Sequence, residues 1–299
     1  MNRITRFFTR IVITSAVVLA GHSCLRENFD RCPRASRVYF DFALEASFDD
    51  ARVEDTVDRI DLYAFDKDGK VVGHWVDERV VMSKNYYMEI DSLSAGAYVA
   101  WANLGARYIA NVPRPSRDEM SASLVLPADR ALRDVDLPHL YFGESRAESF
   151  EGNRLVIPLE DNICRLNFKV EGLAANGDAY SFTVTDNNGA YSFANDYRET
   201  PPFRHIASAR FTGNSPLTAT MTVLRLDRDR TPALTFTNET TGEILFSRDN
   251  LVDLILQANA NVDFRATRRF DVLLSVRADA TISISVNGWR IETDEVQIL

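Results

Sequence analysis

The feature that most constrains this fold is an alternation of apolar and polar side chains with a period of two. Two segments near the N-terminus show it, with apolar residues at every second position: Val38, Phe40, Phe42 and Leu44, then Ile60, Leu62 and Ala64. This period places successive side chains on opposite faces of an extended strand. The pattern therefore predicts a chain built from β-strands that each bury one face.

Short strands of this kind recur along the whole chain. In the first half we predict them at 37–44, 59–65, 70–76, 86–90, 97–103, 123–126, 140–143 and 154–157. In the second half we predict them at 163–170, 180–185, 190–193, 207–211, 217–226, 233–237, 243–246, 270–276 and 281–289. The turn-forming residues between them predict an antiparallel sandwich rather than a parallel βαβ sheet.

Local signals mark where these strands turn or end. The segment 66–69 and the dipeptides Asn188-Gly189 and Asn287-Gly288 predict tight turns, because Asp, Asn and Gly suit the backbone conformations of turns. Pro158 is expected at a strand edge or end, since proline lacks the N–H that a ladder needs. Helix is predicted at two places only, a short turn near 118–122 and a stretch that follows Ser247.

The stretch after Ser247 is the one place where the apolar residues follow a helical period. Ser247 is a suitable N-cap, and Leu251, Leu254 and Ile255 would then lie on one helix face. With so little helix, the chain is predicted to be all-β.

The two series of strands meet near residues 160–162. We therefore predict two tandem antiparallel β-sandwich domains, 37–160 and 161–299, each of ordinary domain size. The chain carries a net charge of −9, which argues against a nucleic-acid partner, because such partners need a basic surface.

The first residues predict export. A basic segment with Arg3, Arg6 and Arg10 precedes an apolar run over 11–20 and small residues before Cys24. This order is typical of a secretory signal peptide, which we assign to 1–23. The apolar run is shorter than the roughly 20 residues that a membrane-spanning helix needs.

Cys24 is the expected site of lipidation. A bacterial lipoprotein signal ends in a cysteine that receives a diacylglycerol, and residues 24–36 would then form a lipidated linker. The position three residues before the cysteine usually holds Leu, but here it is Gly21. Because Gly21 and Ser23 are both small, cleavage by the ordinary signal peptidase is the alternative interpretation.

The other two cysteines are too few for a disulfide scaffold. Cys32 and Cys164 are able to pair if Cys24 carries lipid. The simpler interpretation is that Cys164 is a small buried side chain, since it shares a strand face with Leu166 and Phe168.

No motif in the chain predicts catalysis or a cofactor. His74, His139 and His205 lack the spacing of metal ligands, and no nucleophile elbow or phosphate-binding glycine loop is present. Asp66-x-Asp68-Gly69 lacks the later ligands of a calcium loop, so a hairpin turn is the better interpretation. We therefore predict a protein that is not an enzyme and has no catalytic, cofactor or metal site.

The C-terminal tail predicts an interaction instead. Its apolar residues Val296, Ile298 and Leu299 form a candidate donor strand. Such a strand pairs either within its own domain or with the open sheet edge of a neighbouring subunit, where backbone hydrogen bonds and side-chain pockets hold it.

Several separated segments resemble one known family. They are Cys24 with 30–33 after it, the strand 37–44, the hairpin 59–70 and the ending 282–289. In this order they are similar to the FimB-type fimbrial subunits of Bacteroidota, the lipoproteins that anchor type V pili. The resemblance implies transthyretin-like sandwiches, lipid on Cys24, attachment to the outer membrane and a fimbrial shaft subunit as partner.

The resemblance also implies a mechanism. Shaft subunits of this class lose an N-terminal strand to a protease, which opens a groove for a neighbour's C-terminal strand. An anchor must keep its strand 37–44 to stay joined to Cys24, so it would cap the polymer. The alternatives are an accessory or tip subunit and a glycan-binding lipoprotein; the second needs an aromatic platform, and Trp75, Trp101 and Trp289 are far apart in sequence. An exported hydrolase with a dispersed site is a further alternative.

Overall fold

The computed structural model describes residues 36–42, 56–83, 85–90, 96–105, 107–111, 116–146, 154–214, 216–277, 281–291 and 296–297. Nearly all regular structure in these ranges is β-strand, which confirms the all-β prediction. Within the same ranges, no helix has the length and apolar character to cross a membrane.

The elements follow one another as a long series of strands. In chain order these are β1 (Ser36–Phe42), β2 (Ile60–Phe65), β3 (Val71–Asp77), β4 (Tyr87–Ile90), β5 (Ala97–Ala102), β6 (Tyr108–Ala110), β7 (Ser121–Leu124), β8 (Ala131–Arg133), β9 (Tyr141–Arg146), β10 (Arg154–Asp161), β11 (Ile163–Glu171), β12 (Tyr180–Ser192), β13 (Tyr197–Phe211), β14 (Leu217–Leu224), β15 (Ala233–Asn238), β16 (Glu243–Arg248), β17 (Arg269–Val276), β18 (Thr281–Val286), β19 (Trp289–Arg290) and β20 (Val296–Gln297). The helix α1 (Leu251–Ala258) lies between β16 and β17, and a 3₁₀ turn (Arg117–Glu119) precedes β7.

The first sheet has seven strands in the order β3-β2-β5-β9-β10-β1-β4. Its inner face buries alternate apolar residues of these strands, among them Val38, Leu62 and Leu155. The two ends of the sheet approach each other, because the Tyr86 hydroxyl donates to Asp77 at 2.8 Å while its ring lies 5.9 Å from that of Phe40. The sheet therefore curls around its own apolar face.

Pro158 lies inside β10 rather than at its end, so that prediction was wrong. Strand β10 continues to Asp161 and pairs with β1 through Pro158 itself. Pairing with β9 begins only at Leu159, opposite Gly143. The missing proline N–H explains this, since the ladder to β9 starts at the next residue that has a donor.

The second sheet runs from β16 to β19 in the order β16-β15-β12-β13-β14-β11-β17-β18-β19. Its two layers enclose a core in which the rings of Phe168 and Phe182 stack at 4.2 Å, and those of Phe182 and Phe236 at 4.6 Å. The buried face of α1, which includes Leu254 and Ile255, packs against this core.

A third core joins the two halves of the chain. Strands β6 and β7 pair with each other, and β7 and β8 add to β12 and β13 of the second sheet. The outer face of β5 lies against this layer, with the Trp101 ring 6.3 Å from Tyr191 and 5.9 Å from Phe193. Strand pairing therefore crosses residue 160, and the domain bounds 37–160 and 161–299 stay a prediction.

The predicted turns had mixed outcomes. Asn287 and Gly288 connect β18 to β19 with φ angles of 50° and 79°, as expected for a tight hairpin. Asn188-Gly189 is not a turn: it lies inside β12, where the pairing with β13 shifts register. The strand predicted at 190–193 is consequently the end of the long strand β12, and the one at 207–211 is the end of β13.

Helix α1 begins later than predicted. Ser247 lies within β16, opposite Thr235, so it does not cap the helix. The N-cap is Asn250, whose side-chain oxygen accepts from the backbone N–H of Val252 at 2.9 Å and of Asp253 at 3.3 Å.

Candidate interaction site

The N-terminal strand β1 occupies an interior position of the first sheet. It pairs in parallel with β10 from Arg37 to Phe42 and antiparallel with β4 from Ser36 to Tyr39. Val38 is completely buried and Phe40 nearly so, because alternation turns both toward the inner core. The strand therefore fills a slot that would otherwise leave two neighbouring strands with open edges.

The last two strands of the chain, β19 and β20, both lie on the outer edge of β18, in the second sheet. Strand β19 pairs with Ser285 and Val286, and β20 pairs with Thr281 and Ile282. In the described part of the chain, each of these edge strands comprises two residues. The described part of the predicted donor strand, Val296 and Gln297, thus pairs within its own chain.

Some of the predicted site residues lie outside the described ranges. These are Cys24, Ile298 and Leu299. Val296 belongs to β20 and is described through its backbone pairing with Ile282. The lipidation of Cys24 and the donation of Val296, Ile298 and Leu299 to a partner stay predictions.

Cys164 is a free and completely buried thiol. Burial raises its pKa, so the thiol stays protonated. This confirms the interpretation of Cys164 as a small buried side chain in β11.

The histidines lie in three separate places. His74 Nε2 lies 3.1 Å from Asp61, which also binds the Arg59 guanidinium at 2.6 Å. Burial works to raise the pKa of the Asp61 carboxyl, but the hydrogen bonds with His74 and Arg59 outweigh it and lower the pKa. His139 pairs with Asp161 at 2.6 Å. Each of these two histidines is thus paired with a carboxylate of the described fold.

His205 is the most unusual of the three. It lies on β13 with 2% of its surface exposed, and neither ring nitrogen has a hydrogen-bond partner. Burial lowers its pKa to about 4, so the ring is neutral at ordinary pH. No group of three or more His, Cys, Asp or Glu side chains in the described part of the chain is arranged to hold a metal ion.

The tryptophans do not form a platform. Trp101 is completely buried, Trp75 is partly buried over Gly73, and Trp289 is 61% exposed on the β18–β19 hairpin. A flat sugar-binding surface needs several exposed rings side by side, so these three residues give no support to glycan binding.

Sequence reasoning missed the polar junction between the halves. Asn162, between β10 and β11, is completely buried and accepts a hydrogen bond from Arg225 at 3.0 Å. Its amide nitrogen donates to Asn195 at 2.7 Å. The hydrogen-bond partners of Asn162 are distant in sequence, so no local sequence pattern predicts this buried polar cluster.

With its curled first sheet and its layered second sheet, the described part of the chain is an all-β protein. The family model of the fimbrillin-A associated anchor proteins Mfa1 and Mfa2 matches residues 29–295. This chain belongs to that family.

Individual relatives are consistent with that membership. The minor fimbrium anchoring subunit Mfa2 of Porphyromonas gingivalis is 24% identical over 295 residues, covering 91% of this chain and 90% of the relative. The solved structure of the fimbrial anchor protein Mfa2 from the same organism superposes with a TM-score of 0.69, at 24% identity, over 88% of this chain and 100% of that one. A Bacteroides thetaiotaomicron protein described as a candidate adhesin has a TM-score of 0.71 at 17% identity, over 88% of this chain and 99% of that one.

Proposed function

We propose that this chain is a structural lipoprotein that anchors a fimbria to the outer membrane and caps its base. Cys24 carries the lipid, and residues 24–36 link it to the folded chain. The partner is a fimbrial shaft subunit, and the chain has no enzymatic role. Family membership supports the anchor role, since the matched family consists of anchor proteins by its description.

The observation that carries the proposal is the interior position of β1. A subunit that accepts a neighbour's strand must have an empty slot, but here β1 lies between β10 and β4 with Val38 completely buried. The same strand is the continuation of the linker from Cys24. A chain that retains β1 therefore has a filled slot and also stays joined to Cys24. A subunit that accepts no further strand but remains tethered suits the base of a polymer.

The opposite end of the chain supports donation. Within the described residues, β20 pairs with β18 at the outer edge of the sheet. A strand at an outer edge pairs on one side, whereas a segment donated to a partner's slot gains a ladder on both sides. Val296 and Ile298 are two positions apart, so they lie on one face of an extended strand, and Leu299 does not. We therefore propose that Val296 and Ile298 point into the partner's slot.

Lipidation is tested by metabolic labelling with a fatty-acid probe in cells that express the wild-type chain or Cys24→Ser. We expect label on the wild type alone. Equal labelling of both chains, or none on either, overturns the lipid anchor. The Cys32→Ser chain is the matched control and keeps its label.

Strand donation is tested by deleting residues 294–299. We expect the truncated chain to reach the surface but no longer to co-purify with the shaft subunit. Ile244→Lys is the control: Ile244 is 54% exposed on β16, at the far edge of the same sheet. Unchanged co-purification of the truncated chain counts against donation.

The N-terminus of the protein isolated from the cell surface separates an anchor from an accessory or tip subunit. An anchor begins at Cys24. A processed subunit that has lost β1 begins after an arginine that follows the strand, such as Arg52. Mass spectrometry of the N-terminal peptide distinguishes the two.

A further inference from the structure

Six side chains form a continuous patch on the outer face of the first sheet, where the linker enters it. They are consecutive outward residues of three neighbouring strands, two each from β1, β4 and β10: Arg37 and Tyr39, Tyr87 and Glu89, Arg154 and Val156. The register pairs Arg37 with Arg154 and with Glu89, and pairs Tyr39 with Tyr87 and with Val156. We call this set the aromatic–arginine patch.

The patch is internally ordered. The Arg37 guanidinium lies 4.6 Å from the centre of the Tyr87 ring, and the Arg154 guanidinium lies 4.3 Å from that of Tyr39. The two tyrosine rings are 5.4 Å apart. Stacking of this kind holds each guanidinium in place while its N–H groups stay available to acceptors.

The patch is also open to solvent. Tyr87 is 37% exposed and Val156 38% exposed, which makes them two of the large apolar or aromatic side chains that the fold leaves outside. Arg37 pairs with Glu89 at 3.3 Å, but both side chains are about half exposed, so this pair is weak and easily replaced.

We propose that the aromatic–arginine patch lies on the membrane surface and binds the phosphate groups of lipid heads. This inference rests on the proposed tether at Cys24. Arg37 and Arg154 supply the phosphate contacts, and the two tyrosines lie at the level of the lipid heads, where amphipathic rings are favoured.

The position of the patch in the chain favours a membrane. Ser36 follows Cys24 by 12 residues, which spans about 40 Å when fully extended and about 20 Å as a flexible coil. A lipid on Cys24 therefore keeps Arg37 close to the bilayer. So short a tether gives an effective concentration of the order of millimolar, which saturates even a weak surface contact.

The distribution of charge along the chain also favours a membrane as the occupant of the patch. The chain as a whole carries −9, which would repel it from an anionic surface. The segment 25–37 runs against that balance, with Arg26, Arg31, Arg34 and Arg37 against two acidic residues. The segment that joins the proposed tether to β1 is thus basic, which suits an anionic membrane surface.

The size of the patch argues against a protein partner. Three strands and two outward rows cover about 200 Å² at ordinary sheet spacings. A stable protein interface buries roughly 800 Å² on each partner. A membrane sets no such minimum when a covalent lipid already holds the protein there.

The test uses the mature chain with Cys24→Ser and Cys32→Ser, so that its outcome does not depend on lipidation. An environment-sensitive dye is attached at Val156→Cys; Cys164 is completely buried and does not compete. Vesicles of phosphatidylcholine with phosphatidylglycerol are expected to increase the emission and shift it to shorter wavelength at millimolar lipid. Added salt is expected to weaken the effect, because it screens the charges.

Two controls define the site. The same dye at Ile244→Cys, on the far edge of the second sheet, is expected to show no change. The double variant Arg37→Gln/Arg154→Gln is expected to need about tenfold more lipid or more, whereas Arg37→Lys/Arg154→Lys keeps the charge and most of the response. The lysine variant thus separates the loss of charge from the loss of the arginine side chain.

Three results overturn the inference: no response at position 156, an equal response at position 244, or a glutamine variant that binds as well as the wild type. Loss of shaft co-purification in the glutamine variant, without any vesicle response, assigns the patch to a protein and overturns it too. Failure of the Cys24 tether is recognised separately, because metabolic labelling reports it and the dye measurement does not require it.

Discussion

Arg117 and Glu144 form a two-bond ion pair across the junction of the two sheets. Arg117 Nη1 donates to Glu144 Oε1 at 2.9 Å and Nη2 donates to Oε2 at 2.6 Å. The remaining donor, Nε, binds the carbonyl of Phe193 at 3.0 Å. One guanidinium from the 3₁₀ turn therefore joins β9 of the first sheet to the end of β12 in the second.

Removing this guanidinium should loosen the junction. Arg117→Met keeps much of the side-chain volume but leaves Glu144 and the Phe193 carbonyl without their partner. We expect a loss of about 1–3 kcal/mol in the free energy of unfolding, because charge-assisted bonds that are partly buried exceed ordinary surface pairs. Urea titration followed by circular dichroism measures it. Arg133→Met is the control: its pair with Asp129 is half exposed, and a change of at most about 0.5 kcal/mol is expected.

Placing a charge under β1 should release the strand. Val38→Glu buries a carboxylate in the apolar inner face of the first sheet, so β1 is expected to leave its slot and Arg37 to become accessible to trypsin. Val72→Glu adds the same group at a 59% exposed position on β3 and should leave the digestion unchanged. Limited trypsin digestion with mass spectrometry reads out the new N-terminus. Equal resistance of both variants to trypsin would show that burial of Val38 adds little to holding β1 in the sheet.

Buried His205 should make the fold sensitive to acid. Its pKa is about 4 in the folded chain, against about 6.5 in the unfolded chain. The unfolded chain therefore takes up a proton first as the pH falls. The contribution of His205 is complete above pH 6.5 and is lost as the pH falls toward 4, by up to about 3 kcal/mol.

His205→Leu tests this directly. Asp186 and Arg230 act on the His205 pKa in opposite directions, so burial remains the dominant cause. The leucine variant should show a flatter fall of stability between pH 6.5 and 4 than the wild type, by chemical unfolding at each pH. Parallel curves for the two chains would assign the acid sensitivity to other groups.

The helix cap offers a comparison between two residues that are three positions apart. Asn250→Ala removes the acceptor for two backbone N–H groups at the start of α1 and should cost about 1 kcal/mol of unfolding free energy. Ser247→Ala should cost less than about 0.5 kcal/mol, because Ser247 is exposed on β16. A larger effect at Ser247 than at Asn250 would contradict the observed start of the helix.

The strands were predictable where burial of one face alone produces the alternation of apolar and polar residues. The alternation along β11 predicts its buried side chains, including Cys164 and Leu166, because a two-layer core demands that period. The predictions failed where a partner strand decides. Asn188-Gly189 suits a bulge as well as a turn, and only the continuous pairing of β12 with β13 selects the bulge.

The candidate site divides in the same way. The buried face of β1 follows from the order of its residues, but its parallel pairing with β10 depends on a strand more than a hundred positions away. The partners Arg117 and Glu144 are 27 residues apart and share no motif. For Cys24, outside the described residues, the sequence alone supports the prediction.

The direction of β1 has a mechanical consequence. In the proposed anchor, a force on the lipid of Cys24 would act on the N-terminal end of β1, while β10 and β4 hold the strand on both sides through six and four residue pairs. A force along a paired strand loads these ladders together, so they must slide apart as a unit. A force across an edge strand such as β20 opens its pairs one after another. In the proposed anchor, shear flow on a fimbria would therefore be resisted by both ladders of β1 together.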